Sequence, residues 1–157
     1  MTTTFLREVQ LKYRGPRRGQ HFPAANAPER AAAFMRKVFP DNVREHFIVL
    51  FLNGKNEVAA FFVASTGTAS ACLVGPRELF QAAVHAGAVS IIAGHNHPSG
   101  DTAPSAEDRS VTRRLVQAGE LLGIPLLDHL IVGLNSFYSF MESGEIRAAP
   151  KSPPVDF

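Results

Sequence analysis

Cysteine is nearly absent from this chain: its 157 residues include one, Cys72. An intramolecular disulfide is therefore excluded, and a lone thiol fits a reducing compartment better than a secreted scaffold. Set in the apolar run Ala71-Cys72-Leu73-Val74, it reads as a small core residue rather than a catalytic thiol. Long apolar runs are missing as well, and none approaches the ~20 residues that cross a bilayer. Met1-Thr2-Thr3-Thr4 has neither the basic start nor the following apolar stretch of a secretory signal. The expectation is a cytoplasmic protein with no membrane partner. Excess charge of one sign is also scarce, with 16 Lys and Arg against 14 Asp and Glu. Much of the small positive balance sits in Lys12, Arg14, Arg17 and Arg18, which read as a solvated loop rather than a phosphate site. No basic stripe interleaved with aromatics is present, so nucleic acid is a weakly supported partner. Repeats and low-complexity stretches are lacking too. What remains is a chain of a length and apolar content suited to one domain with a real core.

Hydrophobic periodicity and turn chemistry divide that domain. Residues 7–13 alternate polar and apolar as a half-exposed strand would, and 14–27 read as loop. Residues 28–39 predict a helix, with Pro28 and Glu29 at its start, Arg36 and Lys37 near its end and Pro40 stopping it. Residues 46–52 and 58–64 are apolar strands joined by Asn53-Gly54-Lys55-Asn56, a hairpin signal. Ser65-Thr66-Gly67-Thr68 reads as a further turn. Pro76 opens a helix to about Ala86 with Leu79, Phe80, Ala83 and Val84 on one face, and Gly87 ends it. Residues 88–94 form a buried strand that continues into His95. A helix runs from Ser105 to Gly123, a buried strand follows over 124–133, and a last short strand covers 137–141. The Pro-rich tail from Ala148 reads as disordered. The organisation expected is an arm over 1–27, a domain over 28–147 and a tail over 148–157. Strands alternating with helices indicate a layered α/β or α+β fold.

The chemistry concentrates in His95-Asn96-His97-Pro98-Ser99-Gly100-Asp101-Thr102-Ala103-Pro104-Ser105-Ala106-Glu107-Asp108. Two histidines one residue apart and a later carboxylate supply the three ligands that a catalytic zinc takes while leaving a position for water. On a strand, His95 and His97 share a face. Ser105 and Asp108 also read as a helix cap, and both readings hold only if the Asp108 carboxylate turns toward the histidines. Hydrolysis needs a proton shuttle besides the metal, and Glu45, Glu57, Glu78 and Glu107 all offer one. Spacing does not choose among them. Asp128 and His129 interrupt an apolar strand, either as a hydrogen-bond partner of a metal-bound histidine or as a satisfied core pair. Asn96 and Ser99 fit a site rim or plain turn chemistry, and His46 and His85 read as surface residues. His21 lies in the basic loop without an evident partner.

Six motifs, in order, resemble the RadC family: Arg44-Glu45-His46-Phe47, Ser65-Thr66-Gly67-Thr68, Gly75-Pro76-Arg77-Glu78-Leu79-Phe80, His95 to Asp101, Pro104 to Asp108, and Leu127-Asp128-His129-Leu130-Ile131-Val132-Gly133. The His-x-His-Pro signature with its Ser and Asp is similar to that of the wider JAMM (MPN-plus, or JAB) metalloproteases. The resemblance implies a three-layer, cytidine-deaminase-like α/β (α+β) JAB/MPN fold, a mixed curved sheet flanked by helices. It implies one Zn2+ per chain on His95, His97 and Asp108, with Glu45 as general acid/base and Ser105 stabilising the oxyanion. It also implies attack on an amide or isopeptide carbonyl of a peptide or protein substrate. Family members commonly carry an N-terminal helix-hairpin-helix segment, and here only the strand-like arm is expected in its place. The shorter form is similar to stand-alone members associated with mobile elements. The family's name points instead to DNA repair, which keeps a DNA-processing factor as the alternative. A homo-oligomer is compatible with either. A binding module with a structural metal is the third reading, against which Glu45 argues.

Overall fold

Pro28 cannot donate a backbone N–H and needs no partner at a helix start, so helix α1 (Pro28–Val38) begins there in a computed structural model of the protein. The structure describes residues 24–67 and 74–147. The expected strand at 7–13, the arginines at 14, 17 and 18, His21, Thr68, Cys72 and the tail from Ala148 lie outside them. Glu29 in the first turn and Arg36 and Lys37 in the last match the helix dipole, and Ala31, Ala32 and Met35 are its buried face. Small residues on that face let α1 sit close to the sheet. Strands β1 (Glu45–Leu52) and β2 (Val58–Gly67) form the hairpin. The Asn53 side chain accepts from the backbone N–H groups of Lys55 and Glu57, and Asn56 takes the left-handed conformation that the turn requires.

Helix α2 (Pro76–His85), strand β3 (Ser90–Asn96), helix α3 (Ala106–Leu122) and strands β4 (Leu126–Val132) and β5 (Phe137–Ser139) complete the element order. The sheet runs β2-β1-β3-β4-β5, with β3 and β4 parallel and the other neighbours antiparallel. Strand β1 is buried on both faces, which explains its unbroken apolar run. Phe47, Val49 and Phe51 meet α2 and α3, while Ile48, Leu50 and Leu52 meet α1. The result is three layers around a mixed sheet, as the resemblance implied. Because α3 is the crossover between parallel β3 and β4, its N-terminus lies at the end of β3 that carries His95.

Three local expectations are corrected. Ser65, Thr66 and Gly67 extend β2 rather than turning, because they pair with Phe47, His46 and Glu45 of β1. Pairing there overrides their turn propensity. His46 is fully buried rather than on the surface, beside the Phe39 ring and with Nδ1 2.9 Å from Thr66 Oγ1. Val84 faces outward, since the buried face of α2 is Leu79, Phe80 and Ala83. His85 is exposed as expected. No helix among the described residues is long and apolar enough to cross a membrane.

The turn leaving α3 depends on close backbone approach at Gly119. A Cβ built there would lie 2.6 Å from the carbonyl oxygen of Ile124 and 3.4 Å from the Phe80 ring. Gly119→Ala should therefore destabilise the fold by about 1–3 kcal/mol, although alanine is the better helix former by about 1 kcal/mol. Urea denaturation checks this, and a stability gain would show that the α3–β4 turn can yield.

Candidate metal centre

His95 is the sixth residue of β3, paired with Phe47 of β1 and Ile131 of β4, and its side chain is fully buried. The strand ends at Asn96, and Gly100, in the left-handed region, donates its N–H to the His97 carbonyl to turn the loop back. That turn brings His97 Nε2 to 3.0 Å from His95 Nε2. Asp108 arrives from the other direction, on the first turn of α3. Ser105 caps the helix by accepting from the Asp108 N–H at 3.1 Å, while Asp108 Oδ2 accepts from the Ser105 N–H at 2.7 Å. The other carboxylate oxygen, Oδ1, lies 3.1 Å from His95 Nε2, and Oδ2 lies 3.9 Å from His97 Nε2. The two sequence readings of Asp108 thus hold together: the cap aims the carboxylate at the histidines. Burial pushes this carboxyl up, yet a His95 ring carrying a proton on Nε2, together with the capped Ser105, holds it well below the usual carboxylate range.

Donor counting decides where the ring protons sit. The Thr112 hydroxyl donates to the Asp108 carbonyl oxygen at 2.7 Å, so its lone pair accepts from His129 Nδ1–H at 2.6 Å. His129 Nε2 is left as an acceptor and takes Nδ1–H of His95 at 3.0 Å. Burial, then the neighbouring His95, pushes the His129 imidazole well below its ordinary pKa and keeps it neutral. His97 Nδ1–H donates to the Asp101 carbonyl at 2.6 Å. With both rings neutral, His95 and His97 therefore present bare Nε2 lone pairs to each other and to a carboxylate. Three acceptors with no proton between them repel unless a cation joins them. Tetrahedral zinc, with bonds of 2.0–2.2 Å, spaces its ligand atoms about 3.3–3.5 Å apart. The 3.0 Å between the two Nε2 atoms and the 3.1 Å from His95 Nε2 to Asp108 Oδ1 lie close to that value, while the 3.9 Å to His97 is from the other carboxylate oxygen, Oδ2.

Glu45 opens β1 at the mouth of this cluster. One of its carboxylate oxygens and the ligand nitrogens of His95 and His97 all lie within 4.8 Å of one another. It is half-buried, and burial raises its carboxyl above the ordinary value while the two histidines pull it down. Glu57 is tied to Asn53 in the hairpin, Glu78 sits in the first turn of α2, and Glu107 is exposed on α3; none joins the cluster. Tertiary placement makes the choice that spacing left open. Ser105 accepts through its hydroxyl oxygen at the cap, and among the described residues its hydroxyl proton has no acceptor.

Asn96 does more than shape a rim. Its side chain points to the sheet face opposite His95, with Oδ1 accepting from the His46 N–H and Nδ2 donating to the Arg44 carbonyl, each at 2.8 Å. The residues on both sides of Glu45 are thereby pinned to the residue between the two histidines. Asn96→Ala strands two backbone groups and should cost about 1–3 kcal/mol in a denaturant titration, with metal content unchanged. Loss of the metal instead would mean that Asn96 holds the histidines rather than Glu45. Ser99 needs no more than turn chemistry, accepting from the Asp101 N–H. The two readings of the polar pair in β4 divide between its members. His129 bonds a metal-site histidine, whereas Asp128 is a satisfied core carboxylate that accepts from Ser139 Oγ and the N–H groups of His129 and Met141. Burial pushes the Asp128 carboxyl up, opposed by those three bonds. Thr112 is the site residue that sequence reasoning misses. Its one signal is a polar side chain on the otherwise apolar stripe of α3.

A family model described as the RadC-like JAB domain matches residues 25–145. A UPF0758 protein of Trichlorobacter lovleyi is 46% identical over 118 residues, covering 75% of this chain and 51% of that protein. One from Desulforamulus reducens is 47% identical over 119 residues, covering 76% and 52%. One from Bacillus anthracis is 42% identical over 140 residues, covering 89% and 60%. The chain spans a little over half the length of these curated relatives. With the match running from the start of α1 through the turn after β5, and with the site's ligand-type residues inside it, the chain belongs to the RadC-like JAB domain family.

Proposed function

We propose that the protein is a zinc-dependent hydrolase of peptide or isopeptide bonds, working in the cytoplasm. The observation that carries this reading is the set of three facing ligand-type atoms, His95 Nε2, His97 Nε2 and Asp108 Oδ1, with Nδ1 of each ring engaged elsewhere. JAB domains include metal-dependent hydrolases, which supports it further. His95, His97 and Asp108 would hold the ion. Zinc so held supplies Lewis acidity toward a carbonyl oxygen and brings the pKa of water to about 7. The remaining work falls to the chain itself. Glu45 takes a proton from the attacking water on its carboxylate and hands it to the leaving nitrogen as the C–N bond breaks. The Ser105 hydroxyl donates to the oxygen that gains charge as the carbonyl becomes tetrahedral. Thr112 and His129 keep His95 in the tautomer whose Nε2 is free, and Asn96 keeps Glu45 at the mouth.

A panel of peptides, isopeptide-linked conjugates and DNA duplexes tests the proposal. Cleavage of an amide should disappear on chelation and return with added zinc. Metal-dependent cutting of DNA with no amide cleavage would replace this reading by the DNA-processing one.

A further inference from the structure

His97 and Pro98 form one wall of a second hollow at the same end of the sheet, on the α1 side, with a volume of about 140 Å³. Phe39, Val132 and Leu134 make apolar flanks, and Arg36 supplies the charge. That arginine is half-buried and held still. Its Nε donates to the Gly133 carbonyl at 3.0 Å and its Nη2 to the Ser136 carbonyl at 2.8 Å. These bonds use one edge of the guanidinium. The end-on edge, with N–H groups on Nη1 and Nη2, has the parallel geometry that grips a carboxylate with two bonds. No carboxylate among the described residues pairs with it. A fixed, unbalanced cation thus sits on a small, largely apolar cavity that shares His97 with the metal centre.

We propose that this cavity is a subsite for a substrate carboxylate, taken end-on by Arg36 and carried by the residue adjoining the scissile amide. The proposal rests on the hydrolase reading, since His97 is what joins the two hollows. The apolar flanks accept a short aliphatic stem, and the carboxylate is either a free C-terminus or an acidic side chain.

Titration of the zinc-supplemented protein with three acetylated dipeptides separates these cases: Ala-Ala as the free acid, Ala-Ala amide and Ala-Asp amide. A carboxylate-bearing ligand should bind about tenfold or more tighter than Ala-Ala amide, with NMR shifts at Phe39 and Leu134. Preference for the free acid identifies a C-terminal carboxylate, and preference for Ala-Asp amide an acidic side chain. Arg36→Met should erase the preference. Because Arg36 also ties down the loop after β4, Leu134→Asp serves as the second variant. Residue 134 is 71% exposed and lines the cavity, so its new carboxylate can occupy Arg36 without disturbing the core. It too should erase the preference, at unchanged Tm. Equal binding of acid and amide overturns the subsite. So does a preference that survives both variants, which would place the carboxylate on the metal. Zinc content of the same samples keeps the two readings apart: a zinc-loaded protein without the preference rejects the subsite alone, and a protein that takes up no zinc rejects the metal reading.

Discussion

Glu45→Gln is expected to lower hydrolysis by about 10²–10⁴-fold while the protein still takes up one zinc. Glutamine keeps the size and the hydrogen-bonding oxygen of glutamate but cannot accept a proton near neutral pH, so it separates proton transfer from position. The backbone bonds that hold residue 45 in place come from Asn96 to Arg44 and His46, and the substitution leaves them untouched. Stability should change little, because the side chain is half-buried and forms no ion pair among the described residues. The informative measurements are the rate on the amide substrate and the metal content of the same preparation. Cleavage at the wild-type rate would remove Glu45 from the mechanism. Loss of zinc would show that Glu45, which lies within 4.8 Å of both histidines' ligand atoms, completes the metal set in place of Asp108.

His95→Ala and Asp108→Asn should each abolish stoichiometric zinc binding. Asp108→Asn is the sharper of the two, because an asparagine oxygen can still accept from the Ser105 N–H and preserve the helix cap. It removes only the negative charge that faces His95 Nε2 at 3.1 Å. Asp108→Ala would add the loss of the capping box, about 0.5–2 kcal/mol, and confuse the two effects. Binding to the folded state alone contributes about 4 kcal/mol when free zinc is 1,000 times the Kd. Chelation of the wild type should therefore lower Tm by several degrees, whereas the Asn variant should melt at the same temperature with or without chelator. Thermal melts and metal analysis check both points. A wild type indifferent to chelator, or an Asn variant that keeps one equivalent, rejects the proposed ligand set.

Features that depend on close neighbours along the chain are legible in the sequence. The cap at Ser105 and Asp108, the start of α1 at Pro28, the stop of α3 at Gly123 and the Asn53 hairpin all act within a few residues. The place of His95 on its strand follows from the apolar run before it, while the turn after Asn96, signalled by Pro98 and Gly100, brings His97 to it. Features set by pairing are not legible. Ser65 to Gly67 look like a turn until they meet the start of β1, and His46 looks exposed until Phe39 and Thr66 enclose it. Asp128 and His129 are equivalent by composition, and only the packing of β4 against α3 and β5 gives one to the metal site and the other to the core.

By itself the sequence determined the alternation of strands and helices, and it marked His95, His97 and Asp108 as a candidate metal-ligand triad. Periodicity, caps and turn residues are local physics and survive without the fold. Tertiary structure alone decided that Glu45 rather than Glu57, Glu78 or Glu107 faces that triad, because strand register brings residue 45 beside residue 95 from fifty positions away. It also decided the bonds at Nδ1 that turn His95 Nε2 toward a carboxylate, since Thr112 and His129 reach His95 only through the fold. The cavity that joins Arg36 to His97 has the same origin: a helix end and two strand ends meet there, and no run of sequence contains them.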